Sequence, residues 1–293
     1  MKKNVLIIYN PKAGKNGASH MLPHVVEQLR TMGCRCVAWP TLPGYGSEEI
    51  LADEKGKFEY VVCCGGDGTL NHTINGLMSL DEKPQLIYLP TGSTNDFAQS
   101  LGLSKDIATA CSKIDTQPFY YDIGKFNSSY FNYVAAFGAF TQVSYTTPQD
   151  LKNQLGHAAY IIEGLRHLPI GQYHTRTVIS EDRVFHGDFI YGSVSNSTSI
   201  GGMSVPIKNE VSMNDGLFEV FLIKAPKSVA DVQSIIASML TQNFDNRYIS
   251  YFKTRNLRFE FETPTPWTLD GEFGGDVSQA EISVVNKAIG ILK

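Results

Sequence analysis

The chain has 293 residues, of which 42% are hydrophobic and 18% charged, the balance of a globular protein with room for two domains. A formal net charge of −4 excludes the basic footprint of a nucleic-acid binder and argues against adhesion to anionic membranes by bulk charge, so any membrane contact has to be local. Five cysteines, Cys34, Cys36, Cys63, Cys64 and Cys111, form no C-x-x-C pair and read as reduced thiols of a cytosolic protein.

Met1-Lys2-Lys3 before Val5-Leu6-Ile7-Ile8-Tyr9 superficially resembles a signal sequence, but the apolar run is too short and Asn10-Pro11-Lys12 ends it. No stretch reaches the about 20 apolar residues of a membrane span, so no transmembrane segment is expected. Asn4 to Tyr9 instead reads as a first buried strand. A breaker-rich turn with two lysines follows, Asn10-Pro11-Lys12-Ala13-Gly14-Lys15. Met21, Val25, Leu29 and Met32 recur at helical spacing over His20 to Met32, and Gly33 is a fitting stop. Cys34 to Trp39 reads as a second strand and Glu48 to Lys55 as a second helix.

Tyr60-Val61-Val62-Cys63-Cys64 is an apolar, β-branched run that suits a buried parallel strand, with both cysteines as small core residues. It breaks into a turn, Gly65-Gly66-Asp67-Gly68-Thr69, before a helical pattern that ends near Met78. Strand, glycine turn and helix place backbone N–H groups and a helix N-terminus against an anion, and the missing Cβ atoms let a phosphate approach. Asp67 would repel that phosphate unless a cation lay between them, which points to Mg²⁺. The plainer alternative is a tight βα turn with an Asp cap. Gln85 to Leu89 is a further strand, leading into Pro90-Thr91-Gly92-Ser93-Thr94-Asn95-Asp96-Phe97-Ala98. Two short helices follow, the second around Ile107 to Ile114.

Alternating strands and helices over residues 1 to about 115 predict a parallel sheet covered on both faces, with its ligand site at the carboxyl ends of the strands. The loops Asn10 to Lys15, Gly65 to Thr69 and Pro90 to Asp96 all fall at such ends. No G-x-x-x-x-G-K-[ST] loop is present, so the chain is not a P-loop enzyme. After Phe119 the pattern changes to short alternating runs: Tyr120 to Phe126, Tyr130 to Phe137, Thr175 to Ser180, Val184 to Asn196, Leu217 to Ile223, Leu257 to Phe261 and Ile282 to Val285. Two helical stretches interrupt them, Leu151 to Leu168 and Ser228 to Leu240. The expected fold class is an α/β N-terminal domain with a parallel sheet, residues 1–122, plus a mainly antiparallel β-sandwich second domain, residues 123–285, with residues 286–293 returning to the first.

The Gly-Gly-Asp-Gly-Thr turn resembles the nucleotide loop shared by diacylglycerol kinases, sphingosine kinases, NAD kinases and 6-phosphofructokinases. The later motifs choose among them. Gly92-Ser93-Thr94-Asn95-Asp96-Phe97-Ala98 resembles the second signature of the diacylglycerol kinase family. Asp122-Ile123-Gly124, Phe137-Gly138-Ala139-Phe140, Ser195-Asn196, Gly201-Gly202-Met203, Pro206, Asp215-Gly216-Leu217 and Leu269-Asp270-Gly271-Glu272 match its further motifs in order. The resemblance covers nearly the whole chain and is specific for the bacterial soluble lipid kinases. His72 departs from it, because Glu is usual there, and the gap from Pro206 to Asp215 is slightly long.

That resemblance implies ATP held by Asn10, Pro11, Lys12, Ala13, Gly14, Thr41, Gly66, Asp67, Gly68, Thr69, Leu70, Asn71, His72 and Ser93. It implies that Asp67, Asp96 and Asp122 converge on Mg²⁺ and its waters, and that Glu272 is the general base on a lipid hydroxyl. Asp215, with the carbonyls of Ser212 and Leu217, resembles a structural Mg²⁺ site. Plainer roles stand beside these: a solvated loop lysine for Lys12, an N-cap for Asp96, a turn carboxylate for Asp122, a plain turn for Asp215, a hairpin turn for Asp270-Gly271 and an exposed strand start for Glu272. The activity implied is an ATP- and Mg²⁺-dependent lipid kinase, most simply of diacylglycerol, cytoplasmic and peripheral to the membrane, with a homodimer among the family's features. A kinase of a soluble substrate and a catalytically idle lipid- or nucleotide-binding regulator are the competing readings.

Two features bear on the lipid. Phe126 to Gln149 holds no charged residue, and its aromatics read mostly as strand core, with a few as lining for an acyl cleft. Arg247 to Arg258 carries four basic and no acidic residues with Tyr248, Tyr251 and Phe252 between them. That composition suits transient docking on an anionic leaflet, or a solvated hairpin.

Overall fold

The computed structural model describes residues 3–13, 18–92, 95–138, 175–197, 199–200, 203–204, 211–241, 243–244 and 246–293. The helix expected over Leu151 to Leu168, residues 139–149 of the chargeless stretch, and the site candidates Gly14 and Ser93 lie outside them. The chain divides into two compact units. One is Met1–Ile123 with Tyr130–Asn132 and Asn286–Lys293; the other is Gly124–Ser129 with Tyr133–Val285.

In the first unit, β1 (Asn4–Tyr9), β2 (Arg35–Pro40), β3 (Tyr60–Gly65) and β4 (Gln85–Pro90) form a parallel sheet in the order β4-β3-β1-β2. The carboxyl end of the last strand, β16 (Glu272–Ile291), adds Ile291 beside Leu86 of β4. Both faces are covered, as continuous apolar strands require. Val5 and Ile7 of β1 and Val62 and Cys64 of β3 face α1 (Leu22–Thr31) and α5 (Ile107–Ser112), packing with Val25, Leu29 and Cys111. Cys63 points to the opposite face, where the Thr73 hydroxyl of α3 (Asp67–Met78) donates to its sulfur at 3.4 Å. α2 (Ser47–Asp53) lies against α3, and α4 (Asp96–Leu101) follows β4. Burial pushes the Cys63 thiol up to about 12 and that of Cys111 up to about 11, so both are inert core groups.

The second unit is mainly antiparallel. β14 (Ile249–Thr254), β13 (Phe218–Lys224), β10 (Phe189–Ser195) and β7 (Val134–Gly138) run side by side onto the second half of β15 (Asn256–Leu269). The first half of β15 carries β8 (Thr175–Ser180) and then β9 (Val184–His186) on the same edge. Its other edge pairs with β16 along both halves, with register shifts between Glu260 and Thr265 and between Trp267 and Thr268. One bent strand therefore holds two ladders that fold over each other. Phe185 of β9 stacks on Phe252 of β14 at 5.0 Å, although these strands are at opposite ends of the pairing order. Between the ladders Phe137 lies 4.9 to 5.4 Å from the rings of Trp267, Phe259 and Phe261. β5 (Phe119–Phe126) and β6 (Ser129–Phe131) complete the described main sheet, β11 (Ser199–Ile200) and β12 (Met203–Ser204) form a small separate pair, and α6 (Val229–Thr241) is the helix expected over Ser228 to Leu240.

The expected fold class holds. Element boundaries differ where the backbone has other partners. The run Tyr130 to Phe137 splits into β6 and β7 because the N–H groups of Tyr133 and Val134 both donate to Asp270 Oδ1, at 2.9 and 3.0 Å, instead of joining a ladder. Val184 to Asn196 splits at Gly187, where φ is +132°. Leu257 to Phe261 and Ile282 to Val285 are fragments of much longer strands. β14 has no counterpart among the expected strands, because its buried residues Ile249, Phe252 and Thr254 do not alternate strictly.

Phe137→Ala is expected to lower the stability of the second unit by about 3–5 kcal/mol, read in a denaturant titration followed by Trp267 near-ultraviolet signal. A thiol reagent applied to the native protein is expected to modify half-buried Cys36 well before the four buried cysteines.

Candidate active site

In the first sheet β1 lies between β2 and β3, so the chain leaves the carboxyl ends of β1 and β3 toward opposite faces. That is the topological switch point at which open α/β sheets bind ligands. The loops after β1, β3 and β4 all emerge there, and short contacts tie them together.

The loop after β1 is organised by Asn10. Its N–H donates to the Cys64 carbonyl (3.0 Å) and its Nδ2 to the Thr69 hydroxyl of α3 (3.3 Å), while its Oδ1 accepts the Lys12 N–H (3.0 Å) and its carbonyl the Ala13 N–H (3.1 Å). Pro11 sets the turn and Lys12 is exposed. Thr41 follows β2, its N–H on the Tyr9 carbonyl at 2.9 Å.

The glycine turn after β3 is shorter than expected. Only Gly66, extended at φ −90° and ψ −174°, separates strand from helix, and Asp67 is already the first residue of a 12-residue helix. The stretch Asp67 to Asn71 is thus a helix N-terminus whose leading N–H groups have no intrahelical acceptor. Gly65 and Gly92 are required by packing. A Cβ on Gly65 would lie 2.4 Å from that of Thr69. Gly66 meets Gly92 of the loop after β4, where an added Cβ would lie 2.7 Å from the Gly66 Cα. The Thr91 N–H donates to the Gly65 carbonyl at 2.8 Å across the same contact. Two signature loops therefore touch backbone to backbone.

Asn95 shapes the second loop. It sits at φ +54°, a conformation Asn tolerates better than most residues. Its Oδ1 accepts the Gly92 N–H (2.9 Å) and its Nδ2 donates to the Gly92 carbonyl (2.7 Å). It is the cap of α4, so Asp96 is the first helical residue and not the cap. The Asp96 N–H donates to Asp67 Oδ2 at 3.2 Å, and Asp96 is itself buried. The two acidic residues are thus brought together. Behind them the Tyr88 hydroxyl, 3.4 Å from Asn95 Oδ1, is held well above the usual phenol range by burial and then by the Asp67 charge.

Other candidates have different surroundings. Leu70 is fully buried, so its backbone is what it offers a ligand. Asn71 Nδ2 donates to the Tyr130 carbonyl at 3.3 Å. His72 is exposed, with Nδ1 2.9 Å from Glu48 Oε1 of α2. The Glu usual at that position would set like charges against each other here, so the change is matched locally by Glu48. Asp122 lies inside β5 and not at a turn. It is fully buried, and its Oδ1 accepts the Asn286 side chain at 2.8 Å and the Lys287 N–H at 2.6 Å.

In the second unit Glu272 is exposed at the start of β16, one residue beyond the turn Asp270-Gly271, whose φ values are +52° and +88°. Asp270 fixes that turn through the two N–H groups named above and by donating its own N–H to the Val134 carbonyl at 2.8 Å. Asp215 accepts the Leu217 N–H on Oδ1 (3.1 Å) and has Lys253 Nζ 3.5 Å from Oδ2; the Ser212 hydroxyl is turned to Asn214. Of the donors expected around a Mg²⁺ here, the Asp215 carboxylate thus already has an N–H and an ammonium beside it. Among the described residues no group of three or more His, Cys, Asp or Glu is placed to hold a metal.

Three of the four basic residues in the run Arg247 to Arg258 have acidic neighbours. Arg247 faces Asp231 at 3.4 Å, Lys253 faces Asp215 and Glu219, and Arg258 faces Glu260 at 2.9 Å. No described helix is long and apolar enough to cross a membrane. Asn95, Asp270 and Lys253 were not singled out from the sequence as site residues. The first two sit inside recognised motifs, a usable signal; Lys253 gives none, because its acids are distant in sequence.

The model of the diacylglycerol kinase catalytic domain matches residues 4–126. A diacylglycerol kinase of Staphylococcus saprophyticus is 31% identical over 278 residues, covering 94% of this chain and 90% of that protein. One of Bacillus subtilis is 29% identical over 277 residues, covering 93% and 91%. A solved diacylglycerol kinase structure from Bacillus anthracis superposes with a TM-score of 0.77 at 22% identity, covering 99% of this chain and 96% of the other, which shows the shared fold.

Gly92→Ala is expected to cost about 1–3 kcal/mol by pushing a methyl group into Gly66, whereas Ala at Gly102, where no atom lies within 4 Å of an added Cβ, carries only the strain of its φ of +64°. The difference is read as protection of the Thr91 amide, the one that spans the loop contact, in hydrogen exchange of the two variants.

Proposed function

The chain belongs to the diacylglycerol kinase family, and from that membership we propose that this lipid kinase uses ATP and Mg²⁺ to phosphorylate a lipid hydroxyl, diacylglycerol being the simplest substrate and phosphatidic acid its product. The observation that carries the nucleotide half of this reading is the contact of Gly66 with Gly92 at the switch point. It leaves bare backbone and the N-terminus of α3 facing the place where a phosphate chain binds in such sheets.

ATP and Mg²⁺, when bound, supply the phosphoryl group and the neutralisation of its charge. The loop residues Asn10 to Ala13, Thr41 and Gly66 to Asn71 hold the nucleotide in this reading, with the exposed Lys12 ammonium offsetting phosphate charge. Asp67 and Asp96, already joined, would hold the cation, since Mg²⁺ keeps several waters and needs few direct protein ligands. Asp122 keeps the part its partners support, anchoring β5 to Asn286 and Lys287. Glu272, held out by the rigid Asp270 turn, takes the proton of the attacking hydroxyl.

With radiolabelled ATP and a panel of lipids, label is expected in the organic extract; label confined to the aqueous phase would favour a soluble substrate. Glu272→Ala is expected to lower turnover at least about a hundredfold, with ATP affinity, read by calorimetry, nearly unchanged. Full turnover in that variant would remove Glu272 from the role of base.

A further inference from the structure

The family resemblance assigns a structural Mg²⁺ to Asp215, yet the charges around that residue are arranged otherwise. Asp215 lies in the turn before β13, and Glu219 follows within that strand. In the antiparallel ladder Glu219 stands directly opposite Lys253 of β14, in a register held by Phe218↔Thr254 and Val220↔Phe252. The pairing of the strands thus delivers the ammonium. Its Nζ lies 3.2 Å from Glu219 Oε1 and 3.5 Å from Asp215 Oδ2, and only 3% of the Glu219 side chain is exposed. The second Asp215 oxygen accepts the N–H of Leu217 at 3.1 Å.

We propose that in this chain Lys253 is the resident cation of the site, bridging Asp215 and Glu219, and that no Mg²⁺ binds there. Mg²⁺ demands near-octahedral oxygen ligands at about 2.0–2.1 Å and gives up water reluctantly. To enter, it would have to displace an ammonium fixed by the sheet register or share two carboxylates with it, against like-charge repulsion. Displacing Lys253 would also leave a buried Glu219 without its counter-charge, which is the costly way to open an ion pair. The inference concerns the turn and the β13–β14 ladder alone and is independent of the reaction proposed above.

The test is thermal melting of the full chain without nucleotide, in excess Mg²⁺ and in EDTA, for wild type, Asp215→Asn, Lys253→Met and Lys253→Met with Glu219→Gln. Wild type and Asp215→Asn should respond equally to Mg²⁺, because nothing at Asp215 binds it. Lys253→Met should melt several degrees lower, with part of the loss recovered when Glu219 is also neutralised. A Mg²⁺-dependent rise in wild type that Asp215→Asn abolishes would overturn the proposal, as would Lys253→Met melting where wild type does. If Lys253→Met does not fold, the comparison of wild type with Asp215→Asn decides alone.

Discussion

Two backbones without side chains meet at Gly66 and Gly92, and the candidate site of the first unit is built around that contact. Dispersion and the Thr91 to Gly65 hydrogen bond favour it, and a Cβ on Gly92 would collide with the Gly66 Cα at 2.7 Å. Once the loops after β3 and β4 touch, Asp96 has to present its N–H to Asp67, and Asn95 has to enter the left-handed region to close its loop. Asn10 then draws in the loop after β1 through Thr69. The residues in contact are 26 positions apart along the chain, and the parallel register of β3 and β4 is what makes them neighbours.

The second unit is organised by charge as well as by its aromatic core. Asp270 and Glu219 are carboxylates largely withdrawn from water. Asp270 is satisfied by two consecutive backbone N–H groups, which end one strand pairing and hold the Glu272 turn rigid. Glu219 is matched across the ladder by Lys253, and burial outweighs that lysine enough to push its carboxyl up to about 7. The same lysine lies 3.5 Å from Asp215 Oδ2. A buried carboxylate without such partners would be a large penalty, so each is tied to the register of the strands that carry it.

The parallel sheet, its covering helices and the loops at its carboxyl ends were legible because apolar runs, breakers and glycines are local signals. The second unit was legible as antiparallel but not in its boundaries. Tyr133 and Val134 read as continuous strand because nothing nearby announces that Asp270 will take their N–H groups. The length of β15 and β16 was hidden by proline and glycine within them. The acids beside Arg247, Lys253 and Arg258 were not legible, because Asp231, Asp215 and Glu219 are remote from them in sequence.

Composition, hydrophobic period and motif order by themselves determined the fold class, the family and which loops belong to the candidate site, since each depends on residues close together in the chain. Only the tertiary structure decided how those residues are used. It placed Asp67 in a helix, buried the side chain of Leu70, turned His72 toward Glu48, tied Asp122 to Asn286 and Lys287, and set Lys253 against Asp215. The physical reason is that a side chain's partner is chosen by strand register and packing, which bring together atoms that no local pattern relates.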